Sequence, residues 1–242
     1  MNALSNRGCE HIELPLAGMS LVKQLYRDGV IFLGVCCLWF HSTARSDDEV
    51  TRQIKALKSR DQIEQQKAVI ALGESPDARA VAPLMSALTD PNRYVRSRAA
   101  EALGTIKNRH AGAVDRSQSP EALGNTEDAR VAQALVTALK DESEKVRAAA
   151  AAALGYIQDL RAAEPLLAVL KDADARVRAN AAMALGDIGD KRAVEPMLPL
   201  LQDGDAYVRQ QAAAAQLDFK DARAVEALIV ALRDSDVNVR RS

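Results

Sequence analysis

The chain has 242 residues, with 32 Lys and Arg against 33 Asp and Glu and a formal net charge of −1 at pH 7. That balance gives no electrostatic reason to expect nucleic acid, whose binders rely on a basic face, and an aromatic content of 3% leaves few rings to stack on bases. At 48% hydrophobic residues, mostly aliphatic, the chain is long enough to bury a core without disulfides.

Residues 1–44 have a composition of their own. They hold all three cysteines (Cys9, Cys36, Cys37), two of the three histidines and the only Trp. Lys23 and Arg27 precede an apolar run from Gly29 to Phe40, and Ser42-Thr43-Ala44 follows. A basic start, a short apolar stretch and a small-x-small exit form the pattern of a secretory signal. Counted from Met19, the segment ending at Ala44 has ordinary signal proportions, so Met19 is the expected start and residues 1–18 a dispensable extension. The run falls short of the roughly 20 apolar residues that span a bilayer, so cleavage is expected over a retained anchor. The expected location is periplasmic or extracellular, or membrane-anchored with the repeats outside if the segment is kept. Cleavage would remove every cysteine. It would leave residues 45–242 with 29 basic and 30 acidic side chains, because Arg7, Lys23, Arg27, Glu10, Glu13 and Asp28 go with the leader.

From residue 47 onward one pattern recurs. Val-Arg falls at 95, 146, 177, 208 and 239, the last four spaced by 31 residues. A fixed period of two helices' length predicts a stack in which each unit buries its apolar face only against its neighbours. Residues 47–76 form a worn first copy in which Glu64 and Gln65 replace Val-Arg, and this polarity suits a solvent-facing cap. Complete units are expected at 77–108, 127–158, 159–190 and 191–221, and a partial one at 222–242. Each opens with Asp-x-Arg, as at Asp77, Asp128, Asp159, Asp190 and Asp221, and continues into a helix with apolar residues four apart, such as Leu84 and Leu88. It breaks at an Asp (Asp90, Asp141, Asp172, Asp203, Asp234). Two residues later come Asn92, Ser143, Asp174, Asp205 and Asp236, side chains that cap a helix start. A second helix follows, with Val95, Ala99, Ala102 and Ile106 inward, and the same slots recur in later units. Small residues on its stripe allow close helix contact, and Gly104, Gly155 and Gly186 fit either a helix stop or a close crossing.

Two stretches break the rhythm. Between Val95 and Val146 the interval is 51, and Glu121-Ala122-Leu123-Gly124 repeats Glu101-Ala102-Leu103-Gly104. Residues 109–126 are therefore an excursion, the remnant of a shortened unit. It is either a worn surface loop or a protruding element that touches a partner, and it holds His110, the only histidine of the repeat region. In the last complete unit Gln216 and Leu217 stand where Leu-Gly is expected, which predicts a looser stack there. The sequence then stops about four residues into a second helix, leaving Leu228, Ile229 and Leu232 half covered. A truncated reading frame and a natural end covered by a partner or a second copy are the two expectations, and the second allows an oligomer through the C-terminal end.

The pattern D-x-R-A-V-x-P-L followed by D-x-x-x-V-R-x-x-A-A-x-A-L-G, best matched at 77–104 and 159–186, resembles the short bacterial HEAT-like repeats also known from phycobilin lyases and designed consensus solenoids. The resemblance covers residues 47–242. It implies an all-α fold, a right-handed α-solenoid of five to six two-helix units, with the second helices lining the concave side. It does not imply one function, since such repeats serve as scaffolds for many partners.

No catalytic or metal site is expected. Hydroxylases of this fold use His-Glu pairs, and none occurs. One histidine after residue 45 cannot assemble a zinc or iron centre. The Asp90 and Arg96 series recur with the period, which fits caps and inter-repeat ion pairs rather than chemistry. No cofactor is expected. A protein or peptide partner is expected on the second-helix face, at Arg98, Glu101, Tyr156, Asn180, Met183, Gln210 and Gln211, within a shallow trough that also includes Ser97, Ala148, Ala149 and Ala179. Tyr156 and Met183 are its expected anchors. Nucleic acid is not an expected partner, and the membrane enters only through the N-terminal segment. A chromophore-handling lyase, implied by the resemblance alone, and a purely structural module of a longer chain remain the alternatives.

Overall fold

The computed structural model describes residues 49–111 and 127–242. The expected signal segment and residues 112–126 of the excursion lie outside the described residues.

The described chain is a run of helices with no strand among them, and residues 50–242 form one compact unit. Six helix pairs follow one another. We number them α1 (49–56) and α2 (Gln62–Glu74); α3 (Val81–Ala87) and α4 (Arg93–Ala111); α5 (Glu127–Ala138) and α6 (Glu144–Ile157); α7 (Ala163–Val169) and α8 (Ala175–Ile188); α9 (Val194–Met197) and α10 (Ala206–Phe219); α11 (Val225–Ala231) and α12 (Val237–Arg241). Odd-numbered helices are the first of each unit and even-numbered ones the second.

The Asp-x-Arg openings build one turn of 3-10 helix before the first helix. Asp77, Asp159, Asp190 and Asp221 each accept a hydrogen bond from the backbone N–H two residues on, and each also pairs with that residue's guanidinium. Pro83, Pro165 and Pro196 sit in the following first turn, where a missing N–H costs nothing. Unit three differs, for α5 starts at Glu127 with no 3-10 turn.

The second helices are long, α6, α8 and α10 having 14 residues each. Asn92, Asp174, Asp205 and Asp236 cap them as expected. Ser143 occupies the cap position of α6, yet its hydroxyl is buried and accepts nothing. The stops come from a residue in the left-handed conformation: Gln158 (φ 57°), Gly189 (φ 75°) and Lys220 (φ 50°). Gly104, Gly155 and Gly186 are not stops. A Cβ on Gly104 would lie 2.8 Å from the Ala153 Cα, and one on Gly155 would lie 3.0 Å from the Ala184 Cα. They are crossing points where successive second helices meet backbone to backbone. Alanine completes the packing from the other side, and the leucines below, Leu103, Leu154 and Leu185, are fully buried.

Packing continues across the excursion. α4 lies directly against α6, as α6 does against α8 and α8 against α10. Helix α4 itself runs to Ala111, so the unit boundary expected at 108 moves out by three residues and Arg109 to Ala111 belong to the helix.

The expected loosening at Gln216 does not occur. Gln216 is 1% exposed and its Nε2 donates to the Val194 carbonyl at 2.8 Å. Pro199, which has no N–H, turns the end of α9 into 3-10 helix over Leu198–Gln202, and the Leu198 N–H bonds to Glu195 rather than Val194. The amide side chain serves the carbonyl that this break frees, which is why a polar residue stands in a leucine slot.

Candidate functional site

Two periodic side-chain systems run across the stack. The first joins the units at one edge. Arg96, Arg147, Arg178 and Arg209 each donate through Nε and Nη2 to both oxygens of an Asp in the next unit: Asp141, Asp172, Asp203 and Asp234 respectively, at 2.7–2.9 Å. Nη1 of each donates to two carbonyls of its own inter-helix turn, as Arg178 does to Asp172 and Ala173. The same Asp carboxylates accept the N–H of the following cap residue. Each arginine thus ties its own turn to the next, the ladder expected of repetition. Gln65 takes the arginine's place in the first unit, reaching the Leu57 carbonyl at 3.1 Å and the Asp90 carboxylate at 3.4 Å. The hydrogen-bonded guanidinium holds the carboxyls of Asp172 and Asp203 below the usual range and that of Asp234 down to about 2. This ladder is structural, since every member is spent on another.

The second system is a cleft of about 670 Å³ that crosses α4, α6, α8 and the start of α10. Arg98, Glu101 and Asn180, three of the expected partner residues, line it. Tyr156, Met183, Gln210 and Gln211 do not. Tyr156 is 42% exposed and its ring lies over Gly104, with Cδ2 3.2 Å from where a Cβ would be. The face geometry expected from the helical wheel needs correction as well. Ser97, Ala148, Ala149 and Ala179 are buried, at 8%, 8%, 7% and 0% exposure, because a second helix packs against its own first helix and against the second helices on both sides. These small residues form the floor between neighbouring helices rather than an open surface.

The polar lining is largely internally engaged. Arg98 donates to Glu101 at 2.7 Å, and Asn180 Nδ2 donates to the Ala148 carbonyl at 2.9 Å, bracing α8 on α6. Absent from the sequence expectations is a row at the first turns of the second helices. Tyr94, Lys145, Arg176 and Tyr207 occupy one repeat slot in successive units, and all four line the cleft. The Tyr94 ring carries the Arg93 guanidinium and the Lys145 ammonium each 5.3 Å from its centroid, and a hydrogen bond from Arg93, with the Lys145 charge behind it, holds its phenol below the ordinary value. Tyr94 and Tyr207 are both nearly half exposed. Their common slot, 51 and then twice 31 residues along the period, is the signal that could have found them. At the other ends of the helices Asp187 has its carboxyl raised, first by burial and then by the charge of Asp218 one unit on. No group of His, Cys, Asp and Glu that could hold a metal ion occurs among the described residues.

The family model of HEAT repeats matches residues 50–115, 109–174, 132–218 and 163–242. The chain belongs to the HEAT-repeat family. Its all-α solenoid is also that of solved structures. The complex of CpcE and CpcF of phycocyanin lyase from Nostoc sp. PCC7120 contains a chain 25% identical over 78% of this one and 72% of that one, with a TM-score of 0.59. An engineered protein is 26% identical over 80% of this chain and 92% of its own, with a TM-score of 0.56. A designed armadillo repeat protein in complex with the peptide (KR)4 is 22% identical over 80% and 95%, with a TM-score of 0.58, and shares the fold. Among curated proteins no significant match to the chain was found. The HEAT repeat is a common protein-interaction scaffold, and neither the family nor the fold assigns this stack a reaction.

Proposed function

We propose that this HEAT stack is a non-catalytic scaffold that holds a segment of a protein partner across units two to five. The observation that carries the reading is the cleft itself, continuous over four units, with Tyr94 near one end, Tyr207 near the other, and the cations Lys145 and Arg176 between them. Exposed tyrosines on rigid helices offer large contact area at little conformational cost. Because Arg98 and Asn180 are already engaged, the remaining contacts are Arg176, Tyr207, the exposed Tyr94–Lys145 cation–π pair and the alanine floor, with Tyr156 and Met183 as flanking contacts. The test is affinity capture from an envelope extract with the wild type beside Tyr94→Ala/Arg176→Glu/Tyr207→Ala. A protein retained by the first and lost by the second is expected. Equal retention by both would remove the cleft from consideration.

A chromophore-handling role is the second reading, favoured by the 25% identity to a chain of the phycocyanin lyase complex. It requires a tetrapyrrole to seat in the same cleft, so a visible-band shift on adding a bilin to the wild type, abolished by the triple substitution, would replace the protein-partner reading. Export is proposed on the residue 19–44 pattern alone, and a mature N-terminus at Arg45 in the recovered protein is the expected mass-spectrometric result.

A further inference from the structure

The cleft does not end at Tyr94. A second recess of about 590 Å³ lies between units one and two, lined by Arg60, Gln62 and Gln65 on one side and by residues 90–94 on the other. Tyr94 lines both recesses, so they adjoin at its side chain. Together they make one track from the turn before α2 to the first turn of α10.

Charge along this track is sorted by its engagement. Arg60, Arg93, Lys145 and Arg176 are exposed, one on each of units one to four, and among the described residues no carboxylate pairs with any of them. Arg93 and Lys145 lie on the Tyr94 ring, a contact that leaves their charge without a counter-charge. The carboxylates of the lining are committed within the protein. Asp90 accepts the Asn92 N–H and, at 3.4 Å, the Gln65 amide. Asp174 accepts the N–H groups of Arg176 and Val177, and Glu101 is paired with Arg98. Glu144, half-buried, lies in the field of the ladder's Arg147. A ligand entering the track therefore meets one unpaired cation per unit over four units.

The repeat also sets the interval between those cations. Packed helices stand about 8–10 Å apart, so a charge carried once per second helix recurs at roughly that distance. A polyproline II strand has three residues per turn and rises about 3.1 Å per residue, so every third side chain falls on one side at ~9 Å intervals. The two periods match.

We propose that the occupant of the track is an acidic protein segment in an extended, polyproline-II-like conformation, with Asp or Glu at every third position facing Arg60, Arg93, Lys145 and Arg176 in turn. Tyr207 then receives an apolar residue beyond the last acidic one. This inference rests on the scaffold reading and adds to it the charge, shape and register of the partner.

Fluorescence anisotropy with the full chain and a labelled (Glu-Pro-Pro)4 peptide at low ionic strength tests this. Saturable binding that weakens as salt is raised is expected. Two peptides of the same length serve as controls: (Lys-Pro-Pro)4 is expected not to bind, and a peptide with its four glutamates adjacent is expected to bind more weakly. Lys145→Glu/Arg176→Glu is expected to weaken binding about tenfold or more with an unchanged far-UV circular dichroism spectrum, both side chains being exposed. Lys145→Arg/Arg176→Lys keeps the charges and should retain binding, and Lys171→Glu, outside the track, should leave it unchanged. Binding of the lysine peptide, equal binding of the adjacent-glutamate peptide, indifference to Lys145→Glu/Arg176→Glu, or tighter binding of a single-stranded oligonucleotide of equal charge would each overturn the proposal. So would absence of (Glu-Pro-Pro)4 binding. If a protein is still captured by the wild type and lost by Tyr94→Ala/Arg176→Glu/Tyr207→Ala, that absence removes only the acidic segment and the scaffold reading stands; failure of both removes both.

Discussion

Replacing Gly104 by alanine tests the packing argument, because two known effects oppose each other at this position. In the interior of an exposed helix the change would stabilise by about 1 kcal/mol, since glycine loses more backbone entropy on folding. Here the new Cβ would lie 2.8 Å from both the Cα and the Cβ of Ala153 and 3.2 Å from the Tyr156 ring. The ring can move, but the Ala153 backbone is part of α6 and cannot yield without separating two helices. Overpacking of this kind costs ~1–3 kcal/mol, so the sign reverses and a net loss of about 1 kcal/mol is expected. Gly204→Ala is the control: nothing lies within 4 Å of its Cβ and its φ is not positive, so it is expected to be neutral or slightly stabilising. Urea denaturation followed by circular dichroism reads both, as a lower midpoint for Gly104→Ala and an unchanged or higher one for Gly204→Ala. A raised midpoint for Gly104→Ala would refute the claim that these glycines are crossing points. Ala153→Gly added to Gly104→Ala should rescue only in part, because the added methyl still meets the backbone of residue 153.

Three further outcomes follow from the same geometry. Arg178→Ala leaves the Asp203 carboxylate without its fork and two turn carbonyls without a donor; a loss of about 2–3 kcal/mol is expected, against little or no change of midpoint for the exposed Arg192→Ala, both from denaturation. Gln216→Ala orphans the Val194 carbonyl and opens a cavity, for a cost of about 2–4 kcal/mol, whereas Gln216→Leu refills the space and removes the unpartnered Oε1, and should cost less. Folded Asp172, Asp203 and Asp234 titrate below their unfolded value of about 4, so their contribution is complete above that pH and is lost as pH falls through the folded values, toward 2 for Asp234. Asp187, raised by burial, acts in the opposite direction near pH 4 and above, so Asp187→Asn should gain stability at neutral pH while leaving the acid limb in place.

The period carried most of the fold into view. Asp-x-Arg openings, capped second helices and the Arg-Asp ladder all lie where a 31-residue repeat of those side chains puts them, because each forms within one unit or between neighbours. The inter-repeat pairing expected of the Asp90 and Arg96 series is what forms, since the Arg96 fork crosses to Asp141 of the next unit; that Nη1 also stays on the carbonyls of its own turn is not legible in the sequence. The trough keeps part of its expected face, with Arg98, Glu101 and Asn180 on it, but extends toward the starts of the second helices and leaves out Tyr156, Met183, Gln210 and Gln211. A helical wheel assigns one buried stripe, but these helices are packed on three sides, so Ala148 and Ala149 become floor, Ala179 is closed off altogether, and the most accessible row is Tyr94, Lys145, Arg176 and Tyr207. Gln216 resembles a defect in the sequence because its partner, the Val194 carbonyl, is set free only by the break that Pro199 introduces 17 residues earlier.

The central claim, that the cleft across units two to five engages a protein, is tested most directly by photo-cross-linking. A photoreactive amino acid is placed at Arg176, in the exposed row of the cleft, and in a second protein at Glu164, on the outward side of α7. The account predicts one discrete cross-linked protein from position 176, lost on competition with unlabelled wild type, and none from position 164. Cross-links from position 164 alone, or from neither position in the native extract, would contradict it.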